Sequence, residues 1–534
     1  MTSRSLCVSL ALALCTPCFS QEGGRLIPEW AKQQVELVGV VREWVAGASE
    51  RQREVAFGRA ATDEANFMFT WLGYYQLTGD ERALETAERL FDGFRQWLGT
   101  EGHLGYYPQQ EAHHGTEPFL FFPTRLYQLG RRTETIRAMY RQVADHCGNW
   151  SEGVPDWYDW DRHVFRSYYL GTRTVRADDA PANQPDHFRF VQIALAAHRM
   201  TGEQRYLDLA NDYVGHWARA ILAAERGFRV ILPADADISD HHHLTSARQA
   251  EQSGDVEAQL EWHLAGGALD TFLDLYRLSP QPEYAEVFRR ALPVLLATAR
   301  EQWGHPAAAL IGKYRDFTGD RSFDGQIRRE LESVTENVSN QIRGVRPAGP
   351  RRHPMGIAQR FDMVIWEYRQ PDGTWARDTG LSPGALVLLY RLTGDRRHLA
   401  LAMKKARQRM AWAVANLKDG REHADAGWCI AAVAGGHGRN YAWGELSSAL
   451  YPVALGSWNF CGEDLVRVTY AHDGRPGLPE GVAALYEPAD PPRVVLVNTS
   501  AAPTTLTVAF PDETPHTVTL EPGEELSVAA APPR

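Results

Sequence analysis

Trp71-Leu-Gly-Tyr-Tyr-Gln-Leu-Thr-Gly-Asp80, followed at once by Glu81-Arg-Ala-Leu-Glu-Thr-Ala87, is the unit from which this 534-residue chain is built. Its first half is apolar on most sides and ends at Gly79, a residue type that closes helices in the left-handed conformation. Its second half restarts behind Asp80, a helix-capping residue, with apolar positions on one face only. An apolar helix needs neighbours all round, whereas an amphipathic one can coat it, so the unit predicts an inner helix followed by an outer helix. The pattern returns at Ile193–Gly202 with Gln204–Ala210, and at Leu386–Asp395 with Arg397–Ala402. Weaker copies run from Phe121 to Gly130, and from Phe272 to Ser279 followed by Pro282-Glu-Tyr284. A sixth pair is read between Trp428 and Leu455, and residues 28–56 supply a further N-terminal helix.

Six inner–outer pairs predict a mainly α fold, an (α/α)6 toroid spanning residues 21–462, with room for an extra N-terminal helix pair. The Leu-Thr-Gly-Asp turn followed by Arg/Tyr-Leu-x-x-Ala resembles the hairpins of the six-hairpin glycosidases and toroidal polysaccharide lyases, over most of residues 30–460. That resemblance implies a carbohydrate-active enzyme whose cleft forms where loops lead into the inner helices. An open helical solenoid is the rival architecture. Uneven spacing of the turns at Gly79, Gly130, Gly202, Ser279 and Gly394, with long aromatic-rich insertions between them, favours the closed form. From Glu463 the texture turns strand-like, at Leu465–Tyr470, Arg493–Val497, Thr504–Phe510 and His516–Leu520. Residues 463–534 are therefore expected to form a small antiparallel β module that packs without carrying a site.

Composition narrows the class. The chain is 44% hydrophobic and 23% charged with a formal net charge of -11, which describes a globular protein and argues against a general nucleic-acid binder. Met1–Gln21 holds one basic residue, Arg4, an apolar run from Leu6 to Leu14 and a small-residue exit at Ser20, so residues 1–20 read as an export signal and the protein as secreted or periplasmic. No other stretch approaches the ~18 uninterrupted apolar residues of a membrane span. Beyond residue 20, Cys147, Cys429 and Cys461 remain, enough for one disulfide. No phosphate loop, zinc-protease helix or nucleophile elbow is present.

The segments before the apolar helices hold the candidate chemistry. They include Glu111-Ala-His-His-Gly-Thr-Glu117, Asp156-Trp-Tyr-Asp-Trp160, Gln184-Pro-Asp-His187, His241-His-His243, Glu261-Trp-His263, Trp366-Glu-Tyr368, Trp375–Asp378, and His423 with Asp425 and His437–Tyr441. Some have plain structural explanations: His113 and His114 can cap a helix, and Asp186 is a natural N-cap. Neither His241–His243 nor Asp235, Asp237 and Asp240 match a defined ligand spacing, so no metal is required, although a structural ion has room. In Asp156–Trp160 carboxylates alternate with large rings, which suits sugar binding. Ile342–Arg360 carries Arg343, Arg346, Arg351, Arg352 and Arg360 with no acidic residue, and Pro347, Pro350 and Pro354 make it a loop. Arginine forks grip carboxylates, so this loop points to an anionic, uronic-acid polysaccharide or oligosaccharide.

Two mechanisms compete. A β-eliminating lyase needs a base, an acid and cationic groups for the enolate-like intermediate. His187 or His263 would act on the uronate, Tyr314 would transfer the proton, Arg346, Arg351 and Arg352 would hold carboxylates, and Glu117 or Glu261 would orient a histidine such as His114. Trp157, Tyr158, Trp160, Tyr368 and Trp375 would line the cleft. A glycoside hydrolase would instead pair carboxyls from Asp156, Asp159, Glu117 and Glu261. A glycan-binding protein without turnover is the non-enzymatic alternative. The wealth of His, Tyr and Arg favours the lyase.

Overall fold

The computed structural model describes residues 26–51, 61–120, 122–176, 182–235, 242–345, 364–416 and 444–531. Helices dominate, with small antiparallel sheets between and after them. The repeated turn is one chemical device used four times. At Thr78-Gly79, Thr201-Gly202, Thr318-Gly319 and Thr393-Gly394 the threonine hydroxyl donates to a carbonyl four residues back, and the glycine takes φ of +70° to +73°. The next helix is capped by the residue that follows: Asp80 accepts from the Arg82 N–H at 3.2 Å and Asp395 from the Arg397 N–H at 2.9 Å.

The apolar helices pack on one another in chain order. Ala61–Thr78 lies on Ala112–Leu120, which lies on Phe188–Thr201, then Ala268–Leu278, His305–Thr318, Pro383–Thr393 and the π-helical turn Leu446–Leu450. Its continuation, Tyr451–Ala454, returns to Ala61–Thr78. The outer helices Glu81–Thr100, Thr133–Cys147, Gln204–Ala223, Pro282–Ala299 and Arg396–Ala415 each cover the helix before them, and the N-terminal helix Glu29–Arg51 packs between Arg396–Ala415 and Glu81–Thr100. One expectation needs correcting. Between the turns at Ser279 and Gly394, where no pair was read, lies a further helical pair, His305–Thr318 and Asp324–Glu332, joined by the same Thr-Gly-Asp turn. The proposed pair from Trp428 onward falls largely on residues 417–443, outside the described residues, as do the export signal and Cys429; Cys147 and Cys461 are free and buried. Among the described residues no helix is long and apolar enough to cross a membrane.

Strand structure begins earlier than Glu463. A hairpin, Trp458–Phe460 with Glu463–Leu465, lies against the C-terminal ends of the inner helices. There Asp464 accepts from Arg125 at 2.9 Å, Glu463 pairs with Arg199 at 3.1 Å, the Cys461 N–H donates to Asp274 at 2.8 Å and the Trp458 indole donates to Asp316 at 2.6 Å. Two sheets follow, one of four strands and one of three with Arg493–Asn498 at its centre. They are locked to the helices: the Gln34 side chain donates to the Ala484 carbonyl at 2.9 Å and accepts from its N–H at 2.8 Å, completing a strand edge.

The first turn is also a docking point. A β-carbon on Gly79 would lie 1.9 Å from the Pro476 carbonyl oxygen, whereas one on Gly202, with nearly the same φ, meets nothing within 4 Å. Gly202→Ala should therefore cost only the left-handed penalty of about 1 kcal/mol. Gly79→Ala adds a backbone collision and should lower the denaturation midpoint further; equal midpoints would show that the contact carries no energy.

Candidate active site

The start of the helix Ala112–Leu120 gathers ionisable groups. Glu111 ends the short strand Gln110–Glu111, which pairs with Tyr169–Leu170, and the helix begins at the next residue. His114 stands three residues on, so its Nδ1 meets the Glu111 carboxylate; His113 and Glu117, four apart, meet at 3.0 Å. The helix Phe188–Thr201 packs alongside and brings Arg189, whose Nη1 lies 2.6 Å from His113 Nδ1 and whose Nη2 lies 3.9 Å from Glu117. Glu111, Glu117 and Arg189 are buried, His113 is half-buried and His114 is exposed. The histidine rings meet edge to face with centroids 4.7 Å apart.

Tautomers follow from the donors. A guanidinium only donates, so His113 Nδ1 accepts and Nε2 carries the proton given to Glu117. Both nitrogens are then committed. His113, His114 and Glu117 do offer ligand atoms within 4.8 Å of one another. Yet a neutral His113 in this tautomer has no lone pair left for a metal, and Arg189 adds positive charge where a cation would sit. A proton-handling network fits these residues better than an ion. His114 differs: with Nδ1 on Glu111, Nε2 is the nitrogen left for a partner from solution. The Glu111 hydrogen bond raises its pKa against the opposing effect of burial.

A second cluster lies at the starts of His305–Thr318, Pro383–Thr393 and Leu446–Leu450. Arg409, fully buried on an outer helix, donates to Asp378 and to Glu445, both at 2.9 Å. Its guanidinium lies 5.3 Å from the centre of the Trp366 ring. Lys405 donates to Glu336 at 2.6 Å and lies 3.8 Å from Asp378. His305 is buried beside Glu445 and Arg409, and desolvation lowers its pKa to about 4.

Several sequence candidates sit elsewhere. His187 is fully buried, its Nδ1 against Gln184 and its Nε2 on the Ser167 carbonyl at 3.2 Å; it closes the start of its helix, and burial lowers its pKa to about 4. His263 is equally buried, bound to the Arg229 carbonyl at 2.7 Å and packed on Trp217 and Phe228. Tyr314 is not in a cleft. It donates to Asp320 at 2.6 Å and stacks on Phe288, serving its own turn as Tyr74 serves Asp80. Trp157 and Tyr158 point into the core, donating to the Gly171 carbonyl and to Asp212. Asp159 caps the backbone of Asp161 and Arg162, which leaves Asp156 and Trp160 as the exposed members of that stretch. Glu261 is buried in Val256–Ala265, Tyr368 is buried beside Arg409, and Trp375 is half-buried beneath Arg343. Arg346, Arg351 and Arg352 lie outside the described residues, as do His423, Asp425 and His437–Tyr441.

Of the predicted catalytic set, then, His114 and Glu117 come together and the remainder are dispersed. Arg189, Arg409, Glu445 and His305 were not read as site residues, and Asp378 was read only as the end of the segment Trp375–Asp378. The signal was there in Arg189, a buried charge between Phe188 and Phe190 in the apolar first turn of an inner helix, and in Arg409 on the apolar face of its helix. Comparison with models of protein families finds no match for this chain, and a search of curated proteins finds none either.

Proposed function

We propose that this chain is an exported carbohydrate-active enzyme that cleaves a uronic-acid glycan by β-elimination. Its inner helices would form a closed (α/α) ring of seven among the described residues, one more than the sequence pattern suggested. The contact circuit that returns from Tyr451–Ala454 to Ala61–Thr78 supports this closure. The observation that carries the chemistry is the exposed His114 held by the buried Glu111 at the start of an inner helix. Neutral His114 would take the proton α to the uronate carboxyl; the electron pair forms the C4–C5 double bond, the C4–O bond breaks, and the departing sugar oxygen takes a proton from water. Glu111 stabilises the imidazolium that results. Arg189 is too buried to touch substrate and acts as a positioning residue through His113. The arginine loop around Arg346–Arg352 would meet the polymer's carboxylates.

A hydrolase is less well served. The carboxylates described at this end are engaged: Glu111 and Glu117 with histidines, Asp186 with Tyr168 and Gln184, and Asp378 and Glu445 with Arg409.

The test is a panel of uronic-acid polysaccharides, followed by the ultraviolet absorbance of the unsaturated uronate. His114→Ala should lower turnover about 10²–10⁴-fold, and Glu111→Gln should lower it less while shifting the pH profile to lower pH. New reducing ends without absorbance would transfer the reaction to a hydrolase; an active His114→Ala would remove this histidine from the mechanism.

A further inference from the structure

Four inner helices carry an arginine in the last turn: Arg199, Arg277, Arg315 and Arg391. A cation there offsets the partial negative charge of a helix C-terminus. Three of the four also have a carboxylate partner. Arg199 pairs with Glu463 at 3.1 Å, Arg315 with Asp324 at 2.7 Å and Arg391 with Asp316 at 3.3 Å. Arg277 is the exception, with no ion pair among the described residues. The nearby carboxylates are taken. Asp274, one turn earlier on the same helix, is buried against Lys313 at 2.6 Å and accepts from the Cys461 N–H at 2.8 Å. Asp464 is held by Arg125, and Asp316 also takes the Trp458 indole at 2.6 Å.

Arg277 meets further positive charge instead. Its guanidinium lies 5.5 Å from the centre of the Phe460 ring, and that of Arg199 lies 4.7 Å from the same ring. Phe317 is 5.1 Å from Arg277. A guanidinium laid on a ring keeps its N–H groups at its rim, where an acceptor from solution reaches them. Arg467, between the strands Glu463–Leu465 and Thr469–His472, is the third member. Burial, then the charges of Arg467 and Arg199, lower the Arg277 pKa, with Asp274 opposing. Arg467 also forms no ion pair among the described residues, and it stands on no helix, so no helix C-terminus accounts for it. Three guanidinium groups thus share one paired carboxylate, Glu463, on a chain whose formal net charge is -11. Arg277 is exposed and Arg467 half-buried, so the excess charge faces solvent. Like charges held together this way are stabilised by an anion between them. Each arginine fork engages two acceptor oxygens, and a tetrahedral oxyanion has more oxygens to share among several forks than a carboxylate has.

We propose that Arg277, Arg199 and Arg467 form a binding site for a doubly charged tetrahedral oxyanion, phosphate or sulfate, taken up as the free ion or as a group borne on a sugar. The site lies at the C-terminal ends of two inner helices, whereas His114 stands at the start of one, so it is separate from the candidate active site. Calorimetric titration of the full chain with sodium sulfate and sodium phosphate tests it, with ionic strength held constant by chloride. At least one of the two ions should bind, and Arg277→Gln should weaken that binding about tenfold. Arg467→Gln should weaken it as well and decides the matter if Arg277→Gln does not fold. Arg397→Met, which removes an exposed arginine from a different helix, should leave the affinity unchanged. A sulfated disaccharide and its unsulfated parent distinguish the sources. Tighter binding of the sulfated sugar than of sulfate identifies a group borne on a sugar, and equal or weaker binding identifies the free ion. The proposal is overturned if neither ion nor the sulfated sugar binds the native chain, or if Arg277→Gln and Arg467→Gln bind as tightly as the native chain does. Calorimetry reads binding without turnover, so failure here is separable from failure of the elimination reading.

Discussion

Acidification from about pH 7 to about pH 4 should unfold the protein, with the loss beginning near pH 6.5. His187, His263 and His305 are buried in apolar or committed surroundings, and desolvation depresses each pKa from 6.5 to about 4. A base with a lowered folded pKa binds fewer protons folded than unfolded. Its contribution is complete above 6.5 and is lost as the pH falls towards 4. Each such histidine forfeits roughly 3 kcal/mol over that interval, and three together forfeit roughly 10 kcal/mol, on the order of a domain's whole stability. Asp186, Glu251 and Glu445 nearby favour the charged forms but do not outweigh burial. His114 runs the opposite way: its raised pKa contributes stability at low pH that fades as the pH rises through the folded value. One exposed group does not offset three buried ones. Urea titrations at successive pH values should show stability falling with a slope approaching three protons below pH 6, and His263→Gln should reduce that slope. Flat stability down to about pH 4.5 would mean that these rings are not held neutral by burial.

Removing the buried guanidinium at position 409 should be nearly as damaging. Arg409→Met strands Asp378 and Glu445, whose side chains are at most 1% exposed. Breaking one side of a buried ion cluster costs about 3–5 kcal/mol, because the charges left behind have neither water nor partner. Lys405, 3.8 Å from Asp378, softens the loss at that carboxylate but is already engaged by Glu336. Arg409→Lys keeps the charge but not the fork that spans two carboxylates, and should fall between the two. Arg397→Met is the surface comparison: its guanidinium is 91% exposed beside Asp395, and its removal should cost at most about 1 kcal/mol. Denaturant midpoints of the three variants measure the contrast; an Arg409→Met midpoint close to that of Arg397→Met would contradict the buried cluster.

The helical repeat was readable because one turn chemistry recurs, with Thr, Gly and an acidic residue each doing a fixed backbone job. The pair His305–Thr318 and Asp324–Glu332 escaped although Thr318-Gly319-Asp320 carries the same signature. Its outer helix is only nine residues long and very polar, and its buried stripe is reduced to Ile327 and Leu331. Tyr314 was consequently given a catalytic role, when its hydroxyl is occupied by the aspartate of its own turn. The site was half legible. Spacings of three and four on one helix announce the Glu111–His114 and His113–Glu117 pairs, but Arg189 becomes their neighbour only when two inner helices pack. Asp156–Trp160 misled because rings beside carboxylates have the same composition whether they face a sugar or the core.

The Gln34–Ala484 pairing joins positions 450 residues apart, and the helix that carries Gln34 also packs on Arg396–Ala415. The N-terminal helix Glu29–Arg51 thus waits for the strand Val482–Glu487 before the Gln34 side chain is satisfied. Such a long closure makes the final folding step slow and leaves the early helices with uncovered apolar faces meanwhile. A chain ended before the sheet would therefore be a substrate for chaperones and proteases, and the C-terminal strands act as the clasp that takes the protein out of their reach.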